Sequence, residues 1–342
     1  MISGLQRIFT RRLLATVLLW AVLIVLALAT LSPSHAWLGK RETVFRIRAP
    51  SFSPDSKLLV MELLYTDKKA VLAIWHIEDE RLNLLPTAPK GRAWITPSFS
   101  LDGAHVMFAD CNVKNSVCHV AKVELDGSNY QRLTISENAD YPAIDKPSYS
   151  PDGLKILFAR KTNFIGDSDI FELNLATGAE TRLTHFDLSM IINLRYLDDG
   201  RNFIFQGYGP KDSDIKVYDA LYQANYIFIM RPDQGYDYRP AFTHGDNSSQ
   251  PSVSADGDKI LFKSFTDDYE YLVVRSGSEN NRIIEKKEII EYAVLSPDGK
   301  TVFFSTEVER APKFRPTSKK PKYTFWLVNT DGSNMREIRF PD

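Results

Sequence analysis

A short motif recurs six times along this chain, and a sequence built from copies of one small unit buries its apolar faces by packing the copies against one another. The copies read "PSFSPDSKLLVM" from Pro50, "PSFSLDGAHVMFA" from Pro97, "PSYSPDGLKILFA" from Pro147, "LRYLDDGRNFIFQ" from Leu194, "PSVSADGDKILFK" from Pro251 and "AVLSPDGKTVFFS" from Ala293. Ser-Pro-Asp-Gly suits a type I turn: Pro pre-sets the second position, and Gly takes the left-handed conformation that lets two antiparallel strands leave together. The run that follows, "ILF" or "VFF", is apolar at consecutive positions, as expected of a strand covered on both faces. The Asp-Gly pair is therefore read as turn chemistry. Six symmetry-spread aspartates, each with a turn to make, are a poor constellation for acid-base catalysis.

The turn aspartates Asp55, Asp102, Asp152, Asp199, Asp256 and Asp298 lie 47, 50, 47, 57 and 42 residues apart, the period of one four-stranded propeller blade. The second half of a blade is legible too. "HVAKVELDGSNYQRLT", "SDIFELNLATGAETRLT", "YIFIMRPDQGYDYRPAF" and "YTFWLVNTDGSNMREIRF" each read as strand, Gly-containing turn, strand. The expected fold is all-β: a six-bladed β-propeller of four-stranded antiparallel blades over residues 42–342, closing a disc with no long exposed edge. Two copies depart from the pattern. The fourth, "YLDDG", lacks Ser-Pro, and the first has Ser56 in place of Gly.

These in-phase Ser-Pro-Asp-Gly turns resemble the propeller repeats of the TolB-type family, a WD-like class of the bacterial envelope, over nearly everything after residue 42. The resemblance implies a protein-binding platform with protein partners in the cell envelope.

Ahead of the propeller, Leu13–Leu31 runs without a charge and follows Arg7, Arg11 and Arg12. As a helix at ~1.5 Å per residue it nearly matches a ~30 Å hydrocarbon core, and the basic flank predicts a cytoplasmic N-terminus. The expected organisation is a basic cytoplasmic n-region (1–12), one transmembrane signal-anchor helix (13–31), a linker (32–41) and a periplasmic propeller held at the bacterial inner membrane. The alternative is secretion after cleavage at Ala36, since Ser34-His35-Ala36 places small residues where signal peptidase reads them. A formal charge of -1 provides no global field for nucleic acid, so none is expected as a partner.

Cys111 and Cys118 are the only cysteines, and in an exported chain they are expected to form a disulfide flanking a hairpin loop, two unpaired thiols being the alternative. Binding is expected on the connections between second and third strands. There, "GYGPKDSDIKVYDALYQANY" carries Tyr208, Tyr218, Tyr222 and Tyr226, and "VERAPKFRPTSKKPKYTF" carries Arg310, Lys313, Arg315, Lys319, Lys320 and Lys322. The tyrosines suit an interface or a glycan-stacking platform, or else pack back on the propeller; the basic run suits an acidic protein, phospholipid headgroups or plain solvation. No cofactor, metal site or catalytic residue is assigned. The six histidines show no metal-ligand spacing, and Asp167-Ser168-Asp169 and Asp212-Ser213-Asp214 read as hydrated acidic turns. An alternative reading is a metal-dependent hydrolase or lactonase working in the central channel, with Asp145 among its candidates.

Overall fold

The structure is a computed structural model. It describes residues 44–65, 69–115, 117–134, 147–162, 168–185, 191–197, 200–208, 225–230, 239–240, 247–266, 268–308 and 322–340. The expected anchor Leu13–Leu31 and the cleavage position Ala36 lie outside these; among the described residues no helix is long and apolar enough to cross a membrane.

The described chain forms six antiparallel sheets of four consecutive strands each, the expected six-bladed propeller. Blade one holds β1 (Val44–Phe52), β2 (Leu58–Tyr65), β3 (Ala70–His76) and β4 (Arg81–Leu84). Blade two holds β5 (Arg92–Phe99), β6 (His105–Asn112), β7 (Cys118–Glu124) and β8 (Gln131–Arg132). Blade three holds β9 (Ser148–Tyr149), β10 (Lys155–Lys161), β11 (Ser168–Asn174) and β12 (Glu180–Arg182). Blade four holds β13 (Ile191–Tyr196), β14 (Phe203–Tyr208), β15 (Asn225–Met230) and β16 (Arg239–Pro240). Blade five holds β17 (Asn247–Val253), β18 (Lys259–Phe265), β19 (Glu270–Ser276) and β20 (Glu279–Lys286). Blade six holds β21 (Ile289–Leu295), β22 (Thr301–Glu307), β23 (Tyr323–Asn329) and β24 (Arg336–Ile338).

The consecutive apolar residues of each second strand now have a physical account. Successive side chains point to opposite faces of a sheet, so neighbours in sequence serve different blade interfaces. On β10, Leu157 packs toward blade four with Phe203 and Phe228, while Phe158 packs toward blade two with Met107 and Val120. Val60 of β2 likewise meets Phe108 of blade two, and Leu59 and Met61 meet Phe303 and Leu327 of blade six.

Each turn is held by more than Pro and Gly. In blade three the Ser150 hydroxyl donates to Asp152 Oδ1 at 2.5 Å and accepts from the Lys155 amide at 3.0 Å, while Asp152 Oδ1 also accepts from the Leu154 amide at 2.9 Å. The same Ser-to-Asp bond recurs at Ser53, Ser100, Ser254 and Ser296, all buried. That serine bond is the first cause holding the Asp55, Asp102, Asp152 and Asp256 carboxyls below their ordinary range. Blade four has Leu197 at the serine position, and there the Leu197 amide donates to the Asn202 carbonyl and the Gly200 amide to the Leu197 carbonyl. Ser56, where the other turns have Gly, adopts the same left-handed conformation (φ 62°).

Ser56 also lies at the seam where the ring closes. Among the described residues no strand is shared between the first and last blades. Closure rests on a core joining Ile47, Met61 and Trp75 to Phe303, Phe325 and Ile338. Around it run the Arg46–Glu291 ion pair at 2.6 Å, the exposed Arg336–Glu80 pair at 2.7 Å, and a 3.2 Å bond from the Asp298 amide to the Ser56 hydroxyl.

Two glycines test how tightly neighbouring blades mesh. Gly127 (φ +83°) lies so close to Pro86 that an added Cβ falls 2.0 Å from its Cδ, whereas Gly277 (φ +57°) faces open space. Gly277→Ala should cost about 1 kcal/mol, the left-handed penalty alone. Gly127→Ala should cost about 3 kcal/mol, because the proline must also move. Urea unfolding of both variants checks the order; equal costs would show that Pro86 yields freely.

Candidate functional site

The innermost strands β1, β5, β9, β13, β17 and β21 surround a central channel that widens twice. Toward the Ser-Pro-Asp-Gly turns is a cavity of about 250 Å³. Its wall includes the residue four before each turn aspartate: Ser51, Ser98, Ser148, Arg195, Ser252 and Val294. Two of these hydroxyls tie neighbouring blades together: Ser98 donates to the Pro147 carbonyl at 2.8 Å, and Ser252 accepts from the Leu295 amide at 3.0 Å. This end of the channel is built mainly for closure.

Further from the turns lies a larger chamber of about 440 Å³, lined by five of the innermost strands and by Glu62 of β2 and Lys263 of β18. Its shape comes from bulges. Ala49, Thr96, Asn193 and Gln250 each stand six residues before a turn aspartate and have positive φ (46°, 51°, 55° and 54°), next to register shifts in their strands. A β-bulge takes one amide out of the ladder, and here side chains of the preceding blade receive it. Glu62 Oε1 accepts from the Thr96 amide at 2.7 Å, and Gln206 Oε1 from the Gln250 amide at 2.8 Å. The bulge in blade six is held differently: Glu270 accepts from the Ile290 amide at 2.6 Å and Lys263 Nζ donates to the Ile290 carbonyl at 2.8 Å.

Charges in and around the chamber are largely paired. Glu291 is bound by Arg46, whose guanidinium also lies 5.6 Å from the Tyr323 ring centre; Lys263 lies 3.4 Å from Glu270. Burial pushes the Tyr292 phenol above its ordinary range, with Arg46 pulling the other way and Glu291 adding to the rise.

Glu62, Gln206 and Lys263 were not singled out from the sequence, yet a signal existed. They sit seven residues after the turn aspartate, directly after the apolar run of the second strand, where blades two and three have Ala109 and Ala159. A polar residue on a strand buried on both faces needs a partner, and the bulge amides and carbonyls provide it.

The expected site residues fall as follows. Cys111 and Cys118 face each other across β6 and β7 and their sulfurs are joined in a disulfide. Tyr208 and Tyr226 belong to the paired strands β14 and β15 rather than to the connection between them; Tyr218 and Tyr222 lie outside the described residues. Lys322 is exposed just before β23, and Arg310, Lys313, Arg315, Lys319 and Lys320 lie outside the described residues, as do Asp145 and Asp212-Ser213-Asp214. The reading of Asp167-Ser168-Asp169 as a hydrated turn is corrected in part. Asp167 is not described, but Asp169 is fully buried on β11, where it binds Arg182 and accepts from the Thr184 hydroxyl at 3.1 Å. Among the described residues no cluster of three His, Cys, Asp or Glu has the arrangement of a metal site.

A second polar cluster borders the disulfide in blade two. Asp110, 2% exposed, accepts from Arg92 Nε and from the Tyr130 hydroxyl, each at 2.6 Å, and pairs in register with His119. Burial, then Arg132 and Arg92, pulls the His119 pKa down to about 4; burial and the bond to Asp110 push Tyr130 up to about 12.

Residues 92–339 match the family profile described as TolB beta propeller domain. No curated protein matches the chain. Among solved structures, the TolB candidate of Agrobacterium tumefaciens aligns with a TM-score of 0.56 at 20% identity, covering 75% of this chain and 87% of that one. TolB of Acinetobacter baumannii gives 0.56 at 18% identity over 85% of this chain and 62% of the other, so this chain spans less than two thirds of that protein. An oligogalacturonate lyase of Vibrio parahaemolyticus gives 0.54 at 14% identity, covering 87% and 77%. At such identities the likeness is one of fold.

Two outcomes follow for blade two. An unfolded His119 titrates near 6.5 and the folded one near 4, so the unfolded state takes up its proton first and stability declines as pH falls through that window. In His119→Gln this part of the slope should vanish, as read from melting temperatures between pH 7 and pH 4; an unchanged slope would refute the assignment. Replacing both cysteines by serine should cost about 2 kcal/mol in chemical unfolding, the closure entropy of a short loop.

Proposed function

The chain belongs to the TolB beta propeller domain family, and on that premise we propose that it is a protein-binding subunit of the bacterial cell envelope, working as a rigid platform rather than as an enzyme. The observation that carries this reading is the inequality of the two ends of the blades. At one end the first and second strands of every blade meet in a short turn, most of them locked by serine and aspartate. The longest connections, 209–224 in blade four, 308–322 in blade six and 133–147 between blades two and three, join second strands to third strands or one blade to the next and so leave from the opposite end, together with the disulfide-closed loop 112–117. Loops on a rigid scaffold are where recognition usually resides.

In this reading Leu13–Leu31 holds the protein at the inner membrane with the propeller in the periplasm, Tyr218 and Tyr222 supply apolar anchors, and Arg310 to Lys322 orient an acidic partner. The charged chamber favours one second reading, a reaction carried out in the channel, because Glu62, Lys263 and Glu291 face one cavity. The two differ in what removal of the loop residues does.

Full-length tagged protein, extracted in mild detergent from its native membrane, should bring down partners that are lost from Tyr218→Ala/Tyr222→Ala and from Lys319→Glu/Lys320→Glu, and reduced from a chain starting at Glu42. Co-purification indifferent to both loop variants would overturn the platform reading and favour the channel.

A further inference from the structure

Six of the seven Asp-Gly pairs in the chain have both residues described. Asp102-Gly103, Asp152-Gly153, Asp256-Gly257 and Asp298-Gly299 join first strands to second strands; Asp126-Gly127 and Asp331-Gly332 join third strands to fourth. An aspartate followed by glycine is chemically fragile, because no side chain shields the glycine nitrogen from the neighbouring carboxyl group. The nitrogen attacks Cγ of the protonated carboxyl, a C–N bond forms, and the carboxyl hydroxyl leaves with the amide hydrogen as water, closing a succinimide ring. Hydrolysis takes the water back. Where it breaks the bond between the backbone carbonyl carbon and the glycine nitrogen, the chain continues through Cγ as isoaspartate, one methylene longer.

Cyclisation thus needs a protonated carboxyl, a free glycine amide and a side chain able to rotate onto it. The four pairs between first and second strands are held against all three. In blade three the Gly153 amide donates to the Ser150 carbonyl at 2.8 Å, while Asp152 Oδ1 accepts from the Ser150 hydroxyl at 2.5 Å and the Leu154 amide at 2.9 Å. Hydrogen bonds of this kind favour the ionised carboxyl, and two anchors on one oxygen oppose its rotation. The arrangement repeats with the Ser100 hydroxyl and Ala104 amide on Asp102 (2.5 and 2.9 Å), Ser254 and Asp258 on Asp256 (2.5 and 3.1 Å), and Ser296 and Lys300 on Asp298 (2.6 and 3.1 Å). All four serines are buried, so water does not compete for their hydroxyls. Ser128 and Ser333, which bind Asp126 and Asp331, are exposed to that competition.

The geometry points to Asp102, Asp152, Asp256 and Asp298 as latent isoaspartate sites, each kept unreacted by the buried serine two residues before it. The second strand that follows each pair is covered on both faces, so an extra methylene in the turn displaces side chains at two blade interfaces at once. The serine therefore protects the ring chemically as well as closing the hairpin. This role is independent of the loops to which partner binding is assigned.

The test is prolonged incubation of the full-length protein at neutral pH, followed by peptide mapping in a mass spectrometer that counts isoaspartate at each Asp-Gly pair. In Ser150→Ala the rate at Asp152 should rise about fivefold, the factor that one net hydrogen bond is worth, while Asp102, Asp256 and Asp298 keep their wild-type rates. Ser254→Ala should act in the same way on Asp256 alone, and it carries the test if circular dichroism shows Ser150→Ala unfolded. In the wild-type chain the four serine-bound pairs should isomerise more slowly than Asp126 and Asp331. An unchanged rate at Asp152 in a folded Ser150→Ala overturns the proposal. So does an equal rise at every pair, the mark of a fold loosened as a whole, or a wild-type map in which the serine-bound pairs react first.

Discussion

The structure depends on one packing constraint: the middle strands of every blade are covered on both faces by other blades. Leu157 and Phe158 are adjacent in sequence, yet one belongs to the contact with blade four and the other to the contact with blade two. No blade can bury its apolar residues alone, so stability comes from nearest-neighbour interfaces, and a ring has one more such interface than an open row. Here that extra interface joins blades one and six with no shared strand among the described residues. The Trp75, Met61 and Phe303 core therefore takes the part that a swapped strand would otherwise play, with Arg46–Glu291 and the Ser56–Asp298 bond around it.

The same constraint decides where polar chemistry can exist. A polar side chain on a doubly covered strand must find a hydrogen-bond partner, or its burial costs about 1–3 kcal/mol. Glu62, 2% exposed, and Gln206, 4% exposed, find theirs in the bulged inner strand of the next blade. Each thus holds a left-handed residue, Thr96 or Gln250, in a conformation that an ordinary strand would not keep. The bulges in turn turn side chains and backbone toward the axis and open the larger chamber. The loops and the channel are thereby mounted on features that also close the ring.

Much of the fold was legible in the sequence because its signals are local. A turn of four residues followed by three apolar ones is complete within a dozen positions, and its sixfold recurrence gives blade number directly. The buried serine of that turn was present in the motif but unread, since its bonds to Asp and to an amide five residues on become visible only once the hairpin is closed. Asp169 was misread for a related reason. Beside Asp167 it looks like part of a hydrated turn, but on β11 it faces Arg182 and Thr184 of the blade's outer edge, which makes it a buried structural ion.

By itself the sequence determined the repeat, the four-strand unit and the doubly covered strands, all of which follow from side-chain period and turn chemistry over short spans, while for the two cysteines it left both a disulfide and free thiols open. Only the tertiary structure decided how the ring closes and which residues meet on its axis. Arg48, Thr96 and Tyr292 are separated by most of the chain, and each occupies an ordinary position within its own repeat. Nothing local brings them together. Sixfold closure does, because it carries the positions six and seven residues before the turn aspartates of several blades, Arg48, Thr96, Asn193, Gln250 and Tyr292 among them, to one chamber on the axis.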